Sequence, residues 1–200
     1  MHCEPTVTVI ITLLLMVLAI GPSCTAIRQA VNLTKCDFRL KDVKETSLAG
    51  VNVQNIESFT DIGFMDIAKL TTAFASGKLP LNFKLNIEVR NPNSEKAALN
   101  RLDWILMLDD TELAQGTTND RIEVMPNGGV SEMTLDITSD VKQVLSGKSL
   151  ESIANLVLNM ADAGGKPTKL TLKAKPYITV GNSTVAYPGY INIKTDFTSN

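Results

Sequence analysis

The chain has 200 residues, of which 44% are hydrophobic and 20% are charged, a balance typical of one packed domain rather than of a disordered chain. Its formal net charge is −2 and it contains no basic block, which argues against binding to nucleic acid. The single histidine, His2, lies in a segment that we expect to be removed, so the mature chain would lack the commonest general base and metal ligand.

The N-terminal segment is strongly apolar over residues 7–20, "VTVIITLLLMVLAI". This run is shorter than the roughly 20 residues that a spanning helix needs, and its length is typical of the core of a signal peptide. We therefore predict a signal peptide over residues 1–23, although no Lys or Arg precedes the apolar core. An uncleaved membrane anchor is the alternative.

The sequence "GPSCTA" that follows resembles the processing site of a bacterial lipoprotein, and its Ser-Cys ending is similar to precursors from the Bacteroidetes. The resemblance implies that Cys24 is acylated and becomes the new N-terminus, although Gly21 stands where that pattern has Leu. Residues 24–35 would then be a lipidated tether to the membrane of the cell envelope. In Bacteroidetes lipoproteins an acidic run after the cysteine is associated with export to the cell surface; "CTAIRQAV" lacks one, so the resemblance implies a periplasm-facing anchor. Cleavage after Ala26, which would release a soluble secreted chain, is the alternative.

Cys36 is interpreted as a structural residue. If Cys24 carries a lipid, Cys36 is a lone thiol of the kind that usually behaves as a small buried hydrophobe. If Cys24 is not acylated, the two cysteines could form a disulfide in an oxidising compartment. Neither alternative makes Cys36 a nucleophile, because no histidine is available to activate it.

Residues 36–200 are predicted to form one mainly β domain, an antiparallel β-sandwich of immunoglobulin or fibronectin-III type with seven or eight strands and two or three packed helices. Apolar residues alternate with polar ones over 81–89, 102–108, 133–137, 170–180 and 191–197, with shorter candidates at 38–40, 49–53 and 122–124. Helical spacing predicts helices over 60–76, 139–145 and 149–163, and the first carries the apolar stripe Phe64, Ile67, Leu70 and Phe74.

Asn91-Pro92-Asn93 ends the strand that begins near Leu81. Proline has no N–H to donate to a sheet, and asparagine side chains can satisfy backbone groups in a turn. The trio is therefore predicted to have a geometric role, with no acid, base or metal ligand implied.

A strand ending in Asn91-Pro92-Asn93, then Trp104, "LMLDD" and "LAQG" up to Gly116, resembles the WHy (water stress and hypersensitive response) domain of late embryogenesis abundant group 2 proteins. The resemblance is best over residues 81–138 and extends over 36–198. It implies a compact β-sandwich with added helices, a role connected with stress protection, and no catalytic residues; the motif residues named here are structural.

Other candidate sites are weak. Asp103, Asp109, Asp110 and Glu112 form an acidic cluster, but the spacing lacks a calcium-loop pattern and favours a hydrated hairpin turn. No nucleophile elbow, phosphate loop or dinucleotide fingerprint is present, and we expect no metal or cofactor. Ile105 and Met107 lie on the face of their strand that should be polar, so we expect a helix to cover them, with an apolar contact face as the alternative.

The sequence as a whole predicts a non-catalytic cell-envelope lipoprotein that protects against desiccation or other stress by binding envelope protein clients or membrane surfaces. A structural subunit of an envelope assembly is the second hypothesis. A small-molecule or lipid carrier, with a cavity lined by side chains such as Phe64, Phe74 and Leu156, is the third.

Overall fold

The computed structural model describes residues 28–29, 31–54, 56–108, 111–160, 169–180 and 183–196. The predicted signal peptide, Cys24, Ala26, the Asp109-Asp110 pair and the last part of the predicted third helix lie outside these residues. Among the described residues no helix is both long enough and apolar enough to span a membrane.

The described part of the chain contains eleven strands and three α-helices, with further helical residues at 28–29 and 31–33 before the first strand. The strands are β1 (Asp37–Leu48), β2 (Val51–Asn52), β3 (Pro80–Asn91), β4 (Ala97–Leu99), β5 (Arg101–Leu108), β6 (Thr111–Thr118), β7 (Ile122–Val124), β8 (Gly129–Asp140), β9 (Lys169–Val180), β10 (Ser183–Ala186) and β11 (Ile191–Asp196). The helices are α1 (Phe64–Ala75), α2 (Val141–Val144) and α3 (Leu150–Met160), with a 3-10 turn at Phe59–Asp61.

The strands form antiparallel sheets. One sheet has four strands in the order β2-β1-β3-β8, and the other has the order β10-β9-β5-β6, with β11 also pairing with β9. The short strands β4 and β7 form a separate pair. The expectation of a mainly β, antiparallel sandwich-like fold with a few helices is thus confirmed.

The described residues contain more strands than the seven or eight that the sequence predicts. The strands that the pattern did not reveal are β4, β6 and β10. β4 is three buried residues, Ala-Ala-Leu, and therefore shows no alternation, while β6 has Ala, Gln and Gly in its centre rather than β-branched residues. Pairing with neighbouring strands, not the local pattern, makes these segments strands.

The predicted alternation places its apolar side chains between the sheets. In β3 the residues Leu81, Phe83, Leu85, Ile87 and Val89 are all buried, and the residues between them are half-buried or exposed. Full burial of one such side chain stabilises the fold by about 1.5–3 kcal/mol. β5 repeats the pattern with Leu102, Trp104, Leu106 and Leu108 inward.

The first predicted helix is interrupted. The 3-10 turn at Phe59–Asp61 is followed by Gly63, which is the N-cap of α1, and the helix ends before Gly77 at a φ of +81°. Leu70 is buried, but Phe64 is 84% exposed, so the prediction that Phe64 belongs to a core stripe is wrong. Phe64 occupies the first turn of α1, where only the later turns pack on the domain.

The sandwich has two distinct ends. At one end, which we call the tether end, β1 begins opposite the last residues of β3, and Asp37 pairs with Arg90. At the other, the helical end, β3 begins opposite the end of β8, where Pro80 pairs with Asp140 and α2 follows directly. The 12-residue strand β3 runs from one end to the other, a length of about 40 Å at 3.3 Å per residue.

Candidate functional site

Asn91 lies at the tether end and is completely buried. Its side-chain amide donates to the carbonyl oxygens of Glu95, at 2.9 Å, and Val124, at 3.0 Å. Its Oδ1 accepts from the backbone N–H of Asn93 at 3.0 Å and from the Asn93 side chain at 2.7 Å. The Asn93 side chain also donates to the carbonyl of Asn32 at 3.0 Å. Asn91 and Asn93 therefore connect the end of β3 to the segment before β4, to the last residue of β7 and to the segment before β1.

Pro92 is exposed and lies outside β3. Because proline has no N–H, the strand ends there without leaving a buried donor unsatisfied. Every contact of the Asn91-Pro92-Asn93 trio described above is with backbone or with another member of the trio. The arrangement is structural, and it positions no group for chemistry.

Trp104 and Gly116 are brought together as a cross-strand pair of β5 and β6. The indole is 6% exposed and faces the space between the sheets. A Cβ added at Gly116 would lie 2.8 Å from Cε2 of Trp104 and closer still to Cζ2. Only a glycine leaves room for the ring, so these two positions depend on one another sterically.

Ile105 and Met107 point to the opposite side of β5. We call this side, together with the neighbouring side chains of β6 and β9, the outer face. Both residues are half-buried. The cross-strand neighbours of Ile105 are Gln115 and Lys173. Above Ile105 is an open depression of about 280 Å³, lined by Asp103, Trp104, Ile105, Gln115, Gly116, Thr117 and Tyr190.

No helix lines this depression in the described part of the chain, so the expectation that a helix covers Ile105 is not met there. Tyr190, from the turn that precedes β11, provides the lining instead, and it is 46% exposed. Ile105 thus forms the apolar floor of a largely polar, open site. Met107 lies farther along β5, between Glu112 and Thr171.

Asp103 is the best-connected charged group of the outer face. The Arg101 guanidinium contacts its carboxylate at 2.9 and 3.0 Å, and the Thr117 hydroxyl donates to it at 2.8 Å. Partial burial alone would raise the pKa of Asp103, but hydrogen bonds from Tyr177, Thr117 and Arg101 together hold the pKa below its usual value. The hydrogen bond that the Tyr177 hydroxyl donates to Asp103, together with burial, raises the pKa of Tyr177. Asp103 is therefore a fixed anion and does not serve as a proton donor near neutral pH.

Lysine and tyrosine side chains occupy the neighbouring positions on β9 and before β11. Lys175 lies directly opposite Asp103 in the β5–β9 register, and its Nζ is 5.8 Å from the ring centroid of Tyr190 and 6.0 Å from that of Tyr177. The Arg101 guanidinium lies 4.7 Å from the Tyr177 ring centroid. These distances are within the range of cation–π attraction. The outer face therefore combines cations, aromatic rings and hydrogen-bonding groups, a combination that is suited to binding a partner surface.

The residues that sequence reasoning missed at this site are Lys173, Lys175, Gln115, Thr117, Tyr177 and Tyr190. The alternation of β9 could have indicated that Lys173, Lys175 and Tyr177 share one face. It could not indicate that this face adjoins Ile105, because the pairing of β5 with β9 joins segments about 70 residues apart in the chain.

Cys36 is 8% exposed, and its thiol donates to the Asn32 carbonyl oxygen at 3.4 Å. Burial, with a smaller contribution from the charge of Asp37, raises the pKa of the thiol to about 11. A thiol with so high a pKa is a poor nucleophile at neutral pH. The structural role predicted for Cys36 agrees with this environment; Cys24, its alternative disulfide partner, lies outside the described residues.

The space between the two sheets at the tether end is almost filled. A gap of about 10 Å³ is lined by Leu33, Phe38, Val89, Leu99, Leu102, Ile122, Met133, Ala174, Pro176 and Ile191. Sites for small molecules usually have volumes of about 300–1,000 Å³. This gap therefore holds no ligand of that size. Phe64, which the carrier hypothesis places in the lining of a cavity, is 84% exposed.

The described residues contain no group of three or more His, Cys, Asp or Glu side chains placed to hold a metal ion. Of the acidic cluster, Asp103 is engaged as above and Glu112 is exposed on β6 beside Met107. Asp109 and Asp110 lie outside the described residues. The site that remains for a functional argument is the outer face.

Comparison with known proteins gives one family match. The family model for late embryogenesis abundant protein (LEA_2) matches residues 86–188, slightly more than half of the chain. The matched region begins within β3 and contains Asn91, Trp104, Gly116 and the whole of β9 and β10. No curated protein sequence matches the chain.

Solved structures that align with the chain do so at low identity. A crystal structure of a protein from Archaeoglobus fulgidus is 15% identical, with 81% of this chain and 98% of that chain covered and a TM-score of 0.36. A solution structure of a protein described as late embryogenesis abundant (LEA) is 12% identical, with coverages of 97% and 90% and a TM-score of 0.33. An X-ray structure of a structural-genomics target is 14% identical, with coverages of 80% and 83% and a TM-score of 0.32. Because all three TM-scores are below 0.5, we conclude nothing about function from these structures.

Proposed function

The chain belongs to the late embryogenesis abundant protein family, and from that premise we propose that it is a non-catalytic, stress-protective protein that binds protein or membrane surfaces at the cell envelope. The observation that carries the proposal is the family match over residues 86–188, which supports a stress-related role. The WHy-type character of the domain and its anchor at Cys24 are parts of the proposal, supported by the sequence motifs.

The outer face is where we place the binding activity. The gap that the described residues leave between the sheets at the tether end is too small for a small-molecule ligand. The outer face offers the apolar floor of Ile105, the exposed ring of Tyr190 and the charged groups of Lys175 and Asp103. An open site of this kind suits contact with a surface rather than enclosure of a small molecule. Asp103 is already hydrogen-bonded to Arg101 and Thr117 within the protein, so contacts made through these groups are expected to be weak and adaptable.

A client-protection assay tests this proposal. We expect the protein to slow the aggregation of a heated or dried enzyme, followed by light scattering, and Ile105→Lys to weaken this effect at least several-fold because it places a charge on the apolar floor. Thr138→Lys is the matched control, since Thr138 lies exposed on β8, in the other sheet, where its hydroxyl contacts Asn82. Equal protection by both variants would exclude the outer face, and no protection by the unsubstituted protein would refute the proposed role.

We propose the anchor on separate grounds, namely the apolar core at 7–20 and the Ser-Cys processing motif. Intact mass of the natively expressed protein, from membrane and soluble fractions, tests it beside Cys24→Ala. The expected result is a chain that begins at Cys24 and carries acyl groups, absent from the variant. An unmodified soluble chain beginning near Ile27 would replace the periplasm-facing lipoprotein by a secreted protein.

A further inference from the structure

We infer that the tether end of the outer face, formed by Arg101, Lys173, Lys175, Tyr187 and Tyr190, lies directly against an anionic lipid bilayer. This inference rests on the proposed anchor at Cys24 and deepens it, because it assigns which surface of the domain faces the membrane. Three observations carry it: the reach of the tether, the position of the tyrosines and the charge of the face.

The reach of the tether restricts which end can contact the membrane. Leu33 is 1% exposed and lines the gap between the sheets together with Pro176 and Ile191, the chain neighbours of Tyr177 and Tyr190. Residues 28–29 and 31–33 are helical, so Arg28 lies about 8 Å from Leu33 at 1.5 Å per residue. The four residues from Cys24 to Arg28 add at most about 14 Å.

A lipid on Cys24 is therefore held within roughly 22 Å of Leu33, whereas the helical end lies about 40 Å away along β3. The anchor can bring the tether end to the bilayer surface but does not reach the helical end. The edge of the outer face is one of the surfaces beside Leu33 at the tether end, because Pro176 and Ile191 line the same gap as Leu33.

The tyrosines of the chain are concentrated at this edge. Tyr177 lies on β9, and the other two tyrosines, Tyr187 and Tyr190, lie in the turn between β10 and β11. The backbone N–H of Tyr187 donates to the Pro176 carbonyl at 2.9 Å, which fixes the turn against β9, and Tyr190 is 46% exposed. Tyrosine has an apolar ring with a polar tip, and it is favoured where one side of a residue meets lipid and the other meets water.

The charge of the face complements anionic headgroups. In the described part of the chain neither Lys173 nor Lys175 forms an ion pair, and the carboxylate of Asp103 is paired with Arg101. Glu112 lies beside Met107, farther from the tether end. Lys173 and Lys175 are two positions apart on one strand, which places their Cα atoms about 6.6 Å apart on a flat surface. An extended array of this kind fits a plane of headgroups better than it encloses a single free phosphate.

Lysine footprinting of the natively processed protein tests the inference without any substitution. The protein is reconstituted in vesicles of phosphatidylcholine with phosphatidylglycerol, in pure phosphatidylcholine vesicles and in detergent, and acetylation of each lysine is followed by mass spectrometry. We expect acetylation of Lys173 and Lys175 to slow at least several-fold in the anionic vesicles relative to detergent. Lys69, Lys78 and Lys148, at the helical end, should react equally in all three.

The alternative contact surface is the first turn of α1, where Phe64 and Met65 are 84% and 71% exposed. Slower acetylation of Lys69 in place of Lys173 and Lys175 would assign the membrane contact to that turn and overturn the inference. Equal slowing of Lys173 and Lys175 in neutral vesicles would overturn the role of charge, and uniform reactivity would show that the domain does not contact the bilayer.

Variants give a second measurement. Each lysine near an anionic surface contributes about 1 kcal/mol, so Lys173→Gln/Lys175→Gln should lower the hydrogen-exchange protection of the backbone amides of Tyr187, Gly189 and Tyr190 in anionic vesicles roughly thirtyfold. Lys78→Gln/Lys148→Gln removes the same charge at the helical end and should leave this protection unchanged.

Failure of the anchor is recognised separately, by an intact mass without acyl groups. The footprint is then taken with the same vesicles added to the soluble chain. Protection of Lys173 and Lys175 there would uphold the surface assignment while the anchor is rejected, and its absence would reject both.

Discussion

Gly116 of β6 stands opposite Trp104 of β5, and the indole occupies the space that any larger residue at position 116 would need. The close steric fit of the two residues packs the edge strand β6 against its neighbour β5. It also explains why a glycine is present in the middle of a strand, where it would otherwise cost about 0.5–1 kcal/mol relative to alanine. The flexibility of glycine has no part in this, since Gly116 does not adopt a positive φ.

Gly116→Ala should therefore destabilise the fold, by about 1–3 kcal/mol, because the added methyl overlaps the six-membered ring of Trp104. Trp104→Leu removes that ring and should be costly by itself, yet the double variant should be more stable than the sum of the single effects predicts. Urea unfolding of the four proteins measures the coupling, which we expect to be about 0.5–3 kcal/mol. Strict additivity would show that the two residues do not compete for space.

Asn91→Asp tests the hydrogen-bond network at the tether end. The substitution replaces an amide that donates to two carbonyl oxygens with a carboxylate oxygen that accepts, in a site with no exposed surface. Each carbonyl left without a donor costs about 1–3 kcal/mol, so the variant should lose about 2–6 kcal/mol of unfolding free energy.

The matched control for this change is Asn82→Asp on β3. The Asn82 Oδ1 accepts from the Thr138 hydroxyl at 3.0 Å, and a carboxylate can accept the same bond. Chemical denaturation should find Asn82→Asp within about 0.5 kcal/mol of the unsubstituted protein, as is usual for surface positions. Similar losses for both variants would mean that the donors of Asn91 have no special importance.

The Trp104–Gly116 pair and the hydrogen bonds of Asn91 illustrate what the sequence could and could not predict. The sequence identifies Asn91, Trp104 and Gly116 as structural positions of a family motif, and the alternation of β5 predicts that Trp104 faces inward. Their partners could not be predicted, because Asn91 bonds to Val124 and Trp104 packs on Gly116 only after distant strands pair. Local alternation gives the face of a residue, but the register of non-local pairs decides what it touches.

The helical elements show the same limit. The spacing of Phe64, Ile67, Leu70 and Phe74 predicts a helix correctly, yet Phe64 is exposed because α1 packs on the domain through its later turns. The outer face is a similar case: the polar environment of Ile105 depends on Tyr190, which lies 85 positions later in the sequence. A periodic pattern does not contain that information.

Asp103 predicts a dependence of stability on pH. Its pKa is lowered in the folded protein, so its bonds with Tyr177, Thr117 and Arg101 stabilise the fold above the ordinary pKa of 3.8 and are lost as pH falls through the lower folded value. Unfolding free energies measured between about pH 5 and pH 2 should fall less steeply for Asp103→Asn than for the unsubstituted protein. Parallel curves for the two proteins would show that Asp103 has the same pKa in both states.

Cys36 gives a prediction about reactivity. Burial raises the pKa of its thiol to about 11 from an ordinary value of 9.0, which leaves on the order of a hundredfold less thiolate near pH 8 than an exposed cysteine has. Iodoacetamide labelling of the Cys36 peptide, followed by mass spectrometry, should therefore be slower than labelling of a short model peptide by at least that factor, and unfolding in urea should remove the difference. Because the thiol is also only 8% exposed, reagents of increasing size should react progressively more slowly with the folded protein. Rapid labelling in the native state would mean that the segment at Cys36, before β1, opens without global unfolding.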